Sequence, residues 1–198
     1  MPDRRPDLTE NDRQLADALL SCRASLPARL RELLPDNIDA MKIRHHGDFH
    51  LGQMLIVKDD VVIIDFEGEP RRSIEDRRRK APAARDVAGL IRSIDYSAIA
   101  ALERALKSAP DEYGKIARAL DGWRELSVSA FLTAYRQSLS DARLWPQSLN
   151  SADRLLDFFL LEKAFYEIEY ELAHRPDWLR VPLAGTWRIL SRGERPDE

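Results

Sequence analysis

Residues 44–70, RHHGDFHLGQMLIVKDDVVIIDFEGEP, constrain the fold more than any other stretch of the chain. The apolar segment 54–58 and the β-branched run 61–66 read as two strands, with Asp59-Asp60 between them at turn spacing. A tight hairpin brings its ends together, so the residues before the first strand lie beside those after the second. Asp48, Gln53 and Asp65 therefore converge at one mouth. Nearly everything outside this stretch repeats apolar residues at helical spacing. The expected fold is mainly α with a small β-hairpin at the site, an α+β chain.

The spacing of those three residues is the one phosphoryl transfer uses. An Asp accepts the proton of the acceptor hydroxyl, a side-chain amide five residues later holds a metal ion, and a second Asp opening the next segment holds the metal that bridges the nucleotide phosphates. Asp48 is the candidate base, and Gln53 and Asp65 are the candidate magnesium ligands. Gln offers the same amide oxygen as Asn on a stem one methylene longer, and a hard cation accepts it. His46 and His50, which flank Asp48, and Glu67 beyond Asp65 are possible auxiliary groups. Neighbouring histidines would also suit zinc, but no second cluster of His or Cys stands at ligand spacing. An HGD triplet alone would be an ordinary turn; HGDxHxGQ, a strand and then DFEG is far more specific.

HGDFHLGQ together with IIDFEGEP resembles the catalytic core of the aminoglycoside-phosphotransferase-like kinases, and within them the maltokinases, which are often fused behind trehalose synthase. The segments RDVAGLIRSIDYSA (85–98) and KAFYEIEYELAHRPDWLRVPLAG (163–185) are similar to the same family, so the resemblance runs from about Ile38 to Ile189. It implies a protein-kinase-like C-terminal lobe, ATP and Mg2+ as cofactors, and transfer of the γ-phosphoryl group to the anomeric hydroxyl of maltose, giving maltose 1-phosphate for trehalose, glycogen or α-glucan metabolism. It also implies that Asp86 orients the catalytic loop through backbone hydrogen bonds; capping the helix that it opens is the plainer role. Two other readings stand beside this one. One is a kinase of the same fold acting on an aminoglycoside or amino alcohol. The other is a catalytically silent lobe that serves as an interaction module.

Composition narrows the partners. Formal net charge is −3, from 31 basic and 34 acidic residues, so no polyelectrolyte partner is implied. Seven basic residues, Arg71, Arg72, Arg77, Arg78, Arg79, Lys80 and Arg85, flank the hairpin with only Glu75 and Asp76 among them. They read as a solvated loop or as a flank that attracts anionic groups, without the interleaved aromatics of a nucleic-acid platform. Cys22 is the single cysteine, which excludes an internal disulfide. No leader pattern and no apolar run of membrane length occurs, so the expectation is a cytoplasmic protein with neither membrane nor nucleic acid as a partner.

Taken in order, the chain divides into a helical segment (1–37), the catalytic loop and metal hairpin (38–70) and a helical subdomain (71–198). After a loose lead-in, Thr9 and Asp12 resemble a capping box that opens a helix to about Leu34, bent at Pro27. Residues 86–98, 99–107, 113–138 and 151–173 are expected as helices, and a short segment from Trp178 closes the chain. On the last long helix Tyr166 and Tyr170 share a face, with Glu169 adjacent and Glu162 a turn earlier. Those rings and carboxylates suit a pyranose face and its hydroxyls, and they suit ordinary core equally well.

A nucleotide-binding lobe has no counterpart here. Such a lobe supplies a glycine-rich loop and a strand-borne Lys ahead of the catalytic loop. Only 47 residues precede Asp48, their sole Lys is Lys42, and they hold no glycine before Gly47. The expectation is a lobe that is poorly active alone, exposes apolar surface around its hairpin, and works with a nucleotide-binding lobe or a trehalose synthase domain.

Overall fold

The computed structural model describes residues 9–34, 37–70, 72–139 and 141–192. The lead-in 1–8, residues 35–36 of the connector, Arg71 of the basic flank and residues 193–198 lie outside the described residues.

Thr9 caps α1 (Glu10–Ser21): its side chain accepts from the Asp12 N–H at 3.3 Å and donates to the Asp12 carboxylate at 2.6 Å. The shorter acid thus reaches the cap hydroxyl instead of the cap backbone. The expected bend lies at residues 22–25, ahead of Pro27, which occupies the first turn of α2 (Leu26–Leu33). A missing N–H does no harm there.

β1 (Lys42–Ile43) pairs antiparallel with β4 (Ala81–Pro82), a two-residue ladder too short for its periodicity to be read from sequence. β2 (Met54–Val57) and β3 (Asp60–Ile63) form the expected hairpin, with Val57 opposite Asp60. The turn is therefore Lys58-Asp59, one residue earlier than the acidic pair suggested, and Lys58 takes the left-handed conformation (φ 58°). Both strands are solvent-exposed, and burial of one face, the usual determinant of register, does not operate. Ile56 is 83% exposed and Phe66 57%, so an apolar surface does surround the hairpin.

Beyond α3 (Ile74–Arg78) the molecule is a helical bundle. α4 (Ala84–Leu106) runs without interruption through residues 98–99, where a boundary was expected. Nothing there breaks a helix, and Ala98 and Leu102 are buried. α5 (Tyr113–Ser138), α6 (Leu149–His174) and α7 (Arg180–Arg192) follow. The core joins Ala84, Val87, Ala88 and Ile91 of α4 to Leu155, Leu156, Phe159 and Leu161 of α6, with Ile189 and Leu190 of α7 and Trp145 closing it. α6 is covered on more than one side: aliphatic residues fill the core, while Lys163, Tyr166, Glu167 and Tyr170 line a cleft. Among the described residues, no helix is long and apolar enough to cross a membrane.

Candidate active site

The loop 44–50 is fixed from two sides. Asp86, in the first turn of α4, accepts from the backbone N–H of His46 at 2.7 Å and of Gly47 at 2.9 Å. Its carboxylate is thus directed at the loop, which is the orienting geometry and not that of a helix cap. His46, buried, bridges the loop to the second strand. Its Nδ1 accepts from the Asp48 N–H at 3.4 Å, so the proton sits on Nε2 and donates to the Ile64 carbonyl at 2.8 Å. The ring also packs on Phe49 and Phe66, with centroids 5.5 and 4.7 Å away. His46 is therefore a structural link between Asp48 and the residue preceding Asp65.

Two glycines let the backbones close. Gly47 is left-handed (φ 87°), and a Cβ there would lie 3.1 Å from the Gly68 Cα. Gly89, one turn beyond Asp86 on α4, faces the loop directly: a Cβ would lie 2.6 Å from the Phe49 carbonyl oxygen. The segment Asp86-Val87-Ala88-Gly89 thus supplies both the anchor for the loop and the space for it.

Gln53 and Asp65 meet as expected. The Gln53 amide donates to Asp65 Oδ2 at 2.9 Å across the open end of the hairpin. Asp65 is left-handed (φ 63°), a conformation uncommon for a residue other than glycine and found disproportionately at functional sites. Among the described residues no group of three or more His, Cys, Asp or Glu side chains is gathered for a metal. One carboxylate and one amide oxygen nonetheless fit magnesium, which keeps several waters and takes its remaining ligands from phosphate. Turning the Gln53 amide over would present its oxygen beside Asp65. Glu67 is exposed, with its carbonyl taking an N–H of Arg77 at 3.4 Å. His50 accepts from the Gly52 N–H at 3.0 Å and lines the cleft beside Asp48.

That cleft has a volume of about 690 Å³ and runs from Asp48 along one face of α6. Tyr166 and Tyr170 both line it. Glu169 does not: it is exposed and outside the cleft, because one residue on a helix turns the side chain through about 100°. The carboxylates in the wall are instead Glu167 and Glu171, each directly following one of the tyrosines. Glu162 also faces elsewhere, pairing with Arg72 at 3.2 Å and Arg85 at 3.0 Å.

Several members of the site were not legible in the sequence. Lys163 reaches Asp48 Oδ1 at 3.3 Å and Glu69, which Arg72 also holds. Burial opposes the Lys163 charge, but the charges of Glu69 and Asp48 outweigh it and hold the ammonium above its ordinary range. Burial likewise opposes ionisation of Glu69, yet Lys163 and Arg72 together hold its carboxyl below the usual value. Glu171 is buried and accepts from Tyr96 Oη at 2.9 Å and from Arg175 at 2.7 and 3.0 Å. Burial, and then Glu167 and Glu171, push the Tyr96 hydroxyl far above its usual range. Behind the cleft, fully buried Arg92 grips Glu167 at 2.6 and 2.8 Å and Asp95 at 2.7 Å. Stacked rings close the far end, Tyr96 on Trp178 and Tyr170 on His174. Lys163 and Glu171 lie in one run with several other charges, and nothing local distinguishes the buried ones.

No family model matches the chain. Over 137 residues it is 35% identical to a glucosamine kinase of Streptacidiphilus jiangxiensis, covering 69% of this chain and 29% of that protein. A glucosamine kinase of Mycolicibacterium smegmatis is 32% identical over 148 residues, covering 75% and 34% respectively. Among solved structures, a glucosamine kinase in complex with glucosamine, ADP and inorganic phosphate superposes with a TM-score of 0.58 at 32% identity, over 73% of this chain and 32% of that one. A second glucosamine kinase crystal form gives 0.61 at 31% identity, over 75% and 34%. The chain thus spans about a third of the length of the relatives it matches. Its helical bundle with a small hairpin is a fold shared with part of those kinases.

Proposed function

We propose that this chain is the acceptor-binding lobe of an ATP-dependent sugar kinase. The observation that carries the reading is the base held at the mouth of a cleft. Asp48 is held by the loop that Asp86 and His46 fix and opens onto the tyrosine-lined wall of α6, and five residues later Gln53 meets Asp65 at the open end of the hairpin. Similarity to glucosamine kinases over most of the chain supports the same class. Asp48 accepts the proton of a sugar hydroxyl as the hydroxyl oxygen bonds to the γ-phosphorus of ATP and the bond from that phosphorus to the β–γ bridging oxygen breaks, releasing ADP. Lys163 steadies the carboxylate through its ion pair at 3.3 Å. Asp65 and Gln53 would hold magnesium, which neutralises charge on the phosphates. The tyrosine faces receive the sugar ring, as flat apolar surface beneath its C–H groups.

Two acceptors are in view. Glucosamine follows from the relatives, whereas maltose follows from the likeness of HGDFHLGQ with IIDFEGEP, and of residues 85–98 and 163–185, to maltokinases. In this proposal a nucleotide-binding lobe completes the site, because the phosphate-positioning groups of this chemistry are not found among residues 1–47. The test is titration of the purified chain with glucosamine, maltose and an aminoglycoside, followed by tryptophan fluorescence, with 31P NMR of mixtures containing Mg-ATP. Saturable binding of one sugar, and transfer to it that falls by about 10²–10⁴ in Asp48→Asn while binding persists, is expected. The lobe itself is expected to transfer slowly unless the nucleotide-binding half is supplied. Binding of the aminoglycoside alone would redirect the proposal to the amino-alcohol class, and binding of no sugar would overturn it.

A further inference from the structure

A second cavity of about 370 Å³ lies behind the cleft, between α4, α5, α6 and α7. Its walls are aliphatic, and its polar groups are Arg92, Asp95, Arg124, Asp153, Asp157 and Arg188. Three guanidinium groups converge there on the single buried carboxylate of Asp95: Arg92 at 2.7 Å, Arg188 at 3.2 Å and Arg124 at 3.6 Å. Arg92 is already committed on its other side to Glu167. Asp153 is mostly exposed and pairs with Arg136 at 3.1 Å. Arg124 is the group left short of acceptors. It is 9% exposed; among the described residues its two ion pairs are long, at 3.6 Å to Asp95 and 3.5 Å to exposed Glu125, and its buried Nε has no hydrogen-bond partner. Burial opposes the charge of Arg188, and the neighbouring Arg124 and Arg92 add to that effect, so that despite Asp95 its guanidinium is held below the ordinary range.

We infer that this cavity is a binding site for a small oxyanion, a phosphate or a carboxylate, received by Arg124 and Arg188. Guanidinium forks match both anions in a two-bond geometry. A donor buried without an acceptor makes the empty cavity costly, and an incoming oxyanion relieves it. The aliphatic walls accommodate an organic body on the anion. This site is separate from the Asp48 cleft, and it stands whether or not the sugar-kinase reading holds.

The experiment is calorimetric titration of the 198-residue chain with inorganic phosphate and, in parallel, with acetate, at ionic strength fixed with chloride. Saturable binding is expected, weakened about tenfold or more by Arg124→Gln, the scale of one charge-assisted hydrogen bond. Arg188→Gln, at the less buried position, repeats the test should Arg124→Gln fail to fold. Tighter binding of phosphate identifies a phosphate-bearing ligand, and tighter binding of acetate a carboxylate. Absence of saturable binding for both anions overturns the inference. So does binding that survives both arginine changes, or binding that is lost in Lys163→Gln, which would place the anion in the cleft.

Discussion

Replacing Gly89 by alanine should displace the loop 44–50 without damaging the helix that carries the change. The new Cβ would stand 2.6 Å from the Phe49 carbonyl oxygen, where ordinary contact begins at 3.4 Å, so loop and helix must part by about 0.8 Å. The obstacle is backbone on both sides, and no side chain can swing away. Alanine is the better helix former by about 1 kcal/mol, while overpacking of this kind costs about 1–3 kcal/mol. The net loss of stability is then about 0–2 kcal/mol, small enough to leave the chain folded. The displaced segment lies next to Asp48, and a misplacement near 1 Å costs about 10²-fold in rate for chemistry that depends on positioning. Gly122→Ala, on α5 with open space around its Cβ, is the control and should gain about 0.5–1 kcal/mol. Chemical denaturation gives the two stabilities, and phosphotransfer with the nucleotide-binding half supplied gives the rate. If Gly89→Ala is stabilised like Gly122→Ala and transfers at the original rate, the close approach of α4 to the loop has no bearing on function.

Asp65→Ala should abolish magnesium-dependent nucleotide binding, whereas Gln53→Ala should only weaken it, because a carboxylate supplies charge and an amide only a dipole; the reverse order in a nucleotide titration would remove the ligand assignment. Glu69 titrates lower in the folded chain than in the unfolded one, so its contribution to stability is complete above the unfolded value near pH 4.5 and is lost as pH falls through the folded value. Denaturation midpoints measured from pH 7 downward should therefore fall more steeply for the parent than for Glu69→Gln, and parallel curves would contradict the pairing with Lys163 and Arg72. Ile56→Glu, at a position 83% exposed, should suppress self-association in light scattering and leave the melting temperature nearly unchanged. A large drop in melting temperature would mean that the hairpin surface is covered within the chain.

The sequence by itself determined whatever depends on near neighbours. The hairpin, the meeting of Gln53 with Asp65 at its open end, the cap at Thr9 and the helical runs of α5 and α6 are all set by spacing and turn chemistry within about twenty residues. The same local rules put Tyr166 and Tyr170 on one face. They did not decide which face, and so Glu169 was read into a wall that Glu167 and Glu171 occupy. Tertiary packing alone decided the ion pairs. Lys163 finds Asp48 across 115 residues, and Arg92 finds Glu167 across 75, because α4 and α6 pack against each other and exclude water between them. A charge run in sequence looks the same whether its members face solvent or a partner. Only burial, which makes an unpaired charge prohibitively costly, selects the ones that must pair.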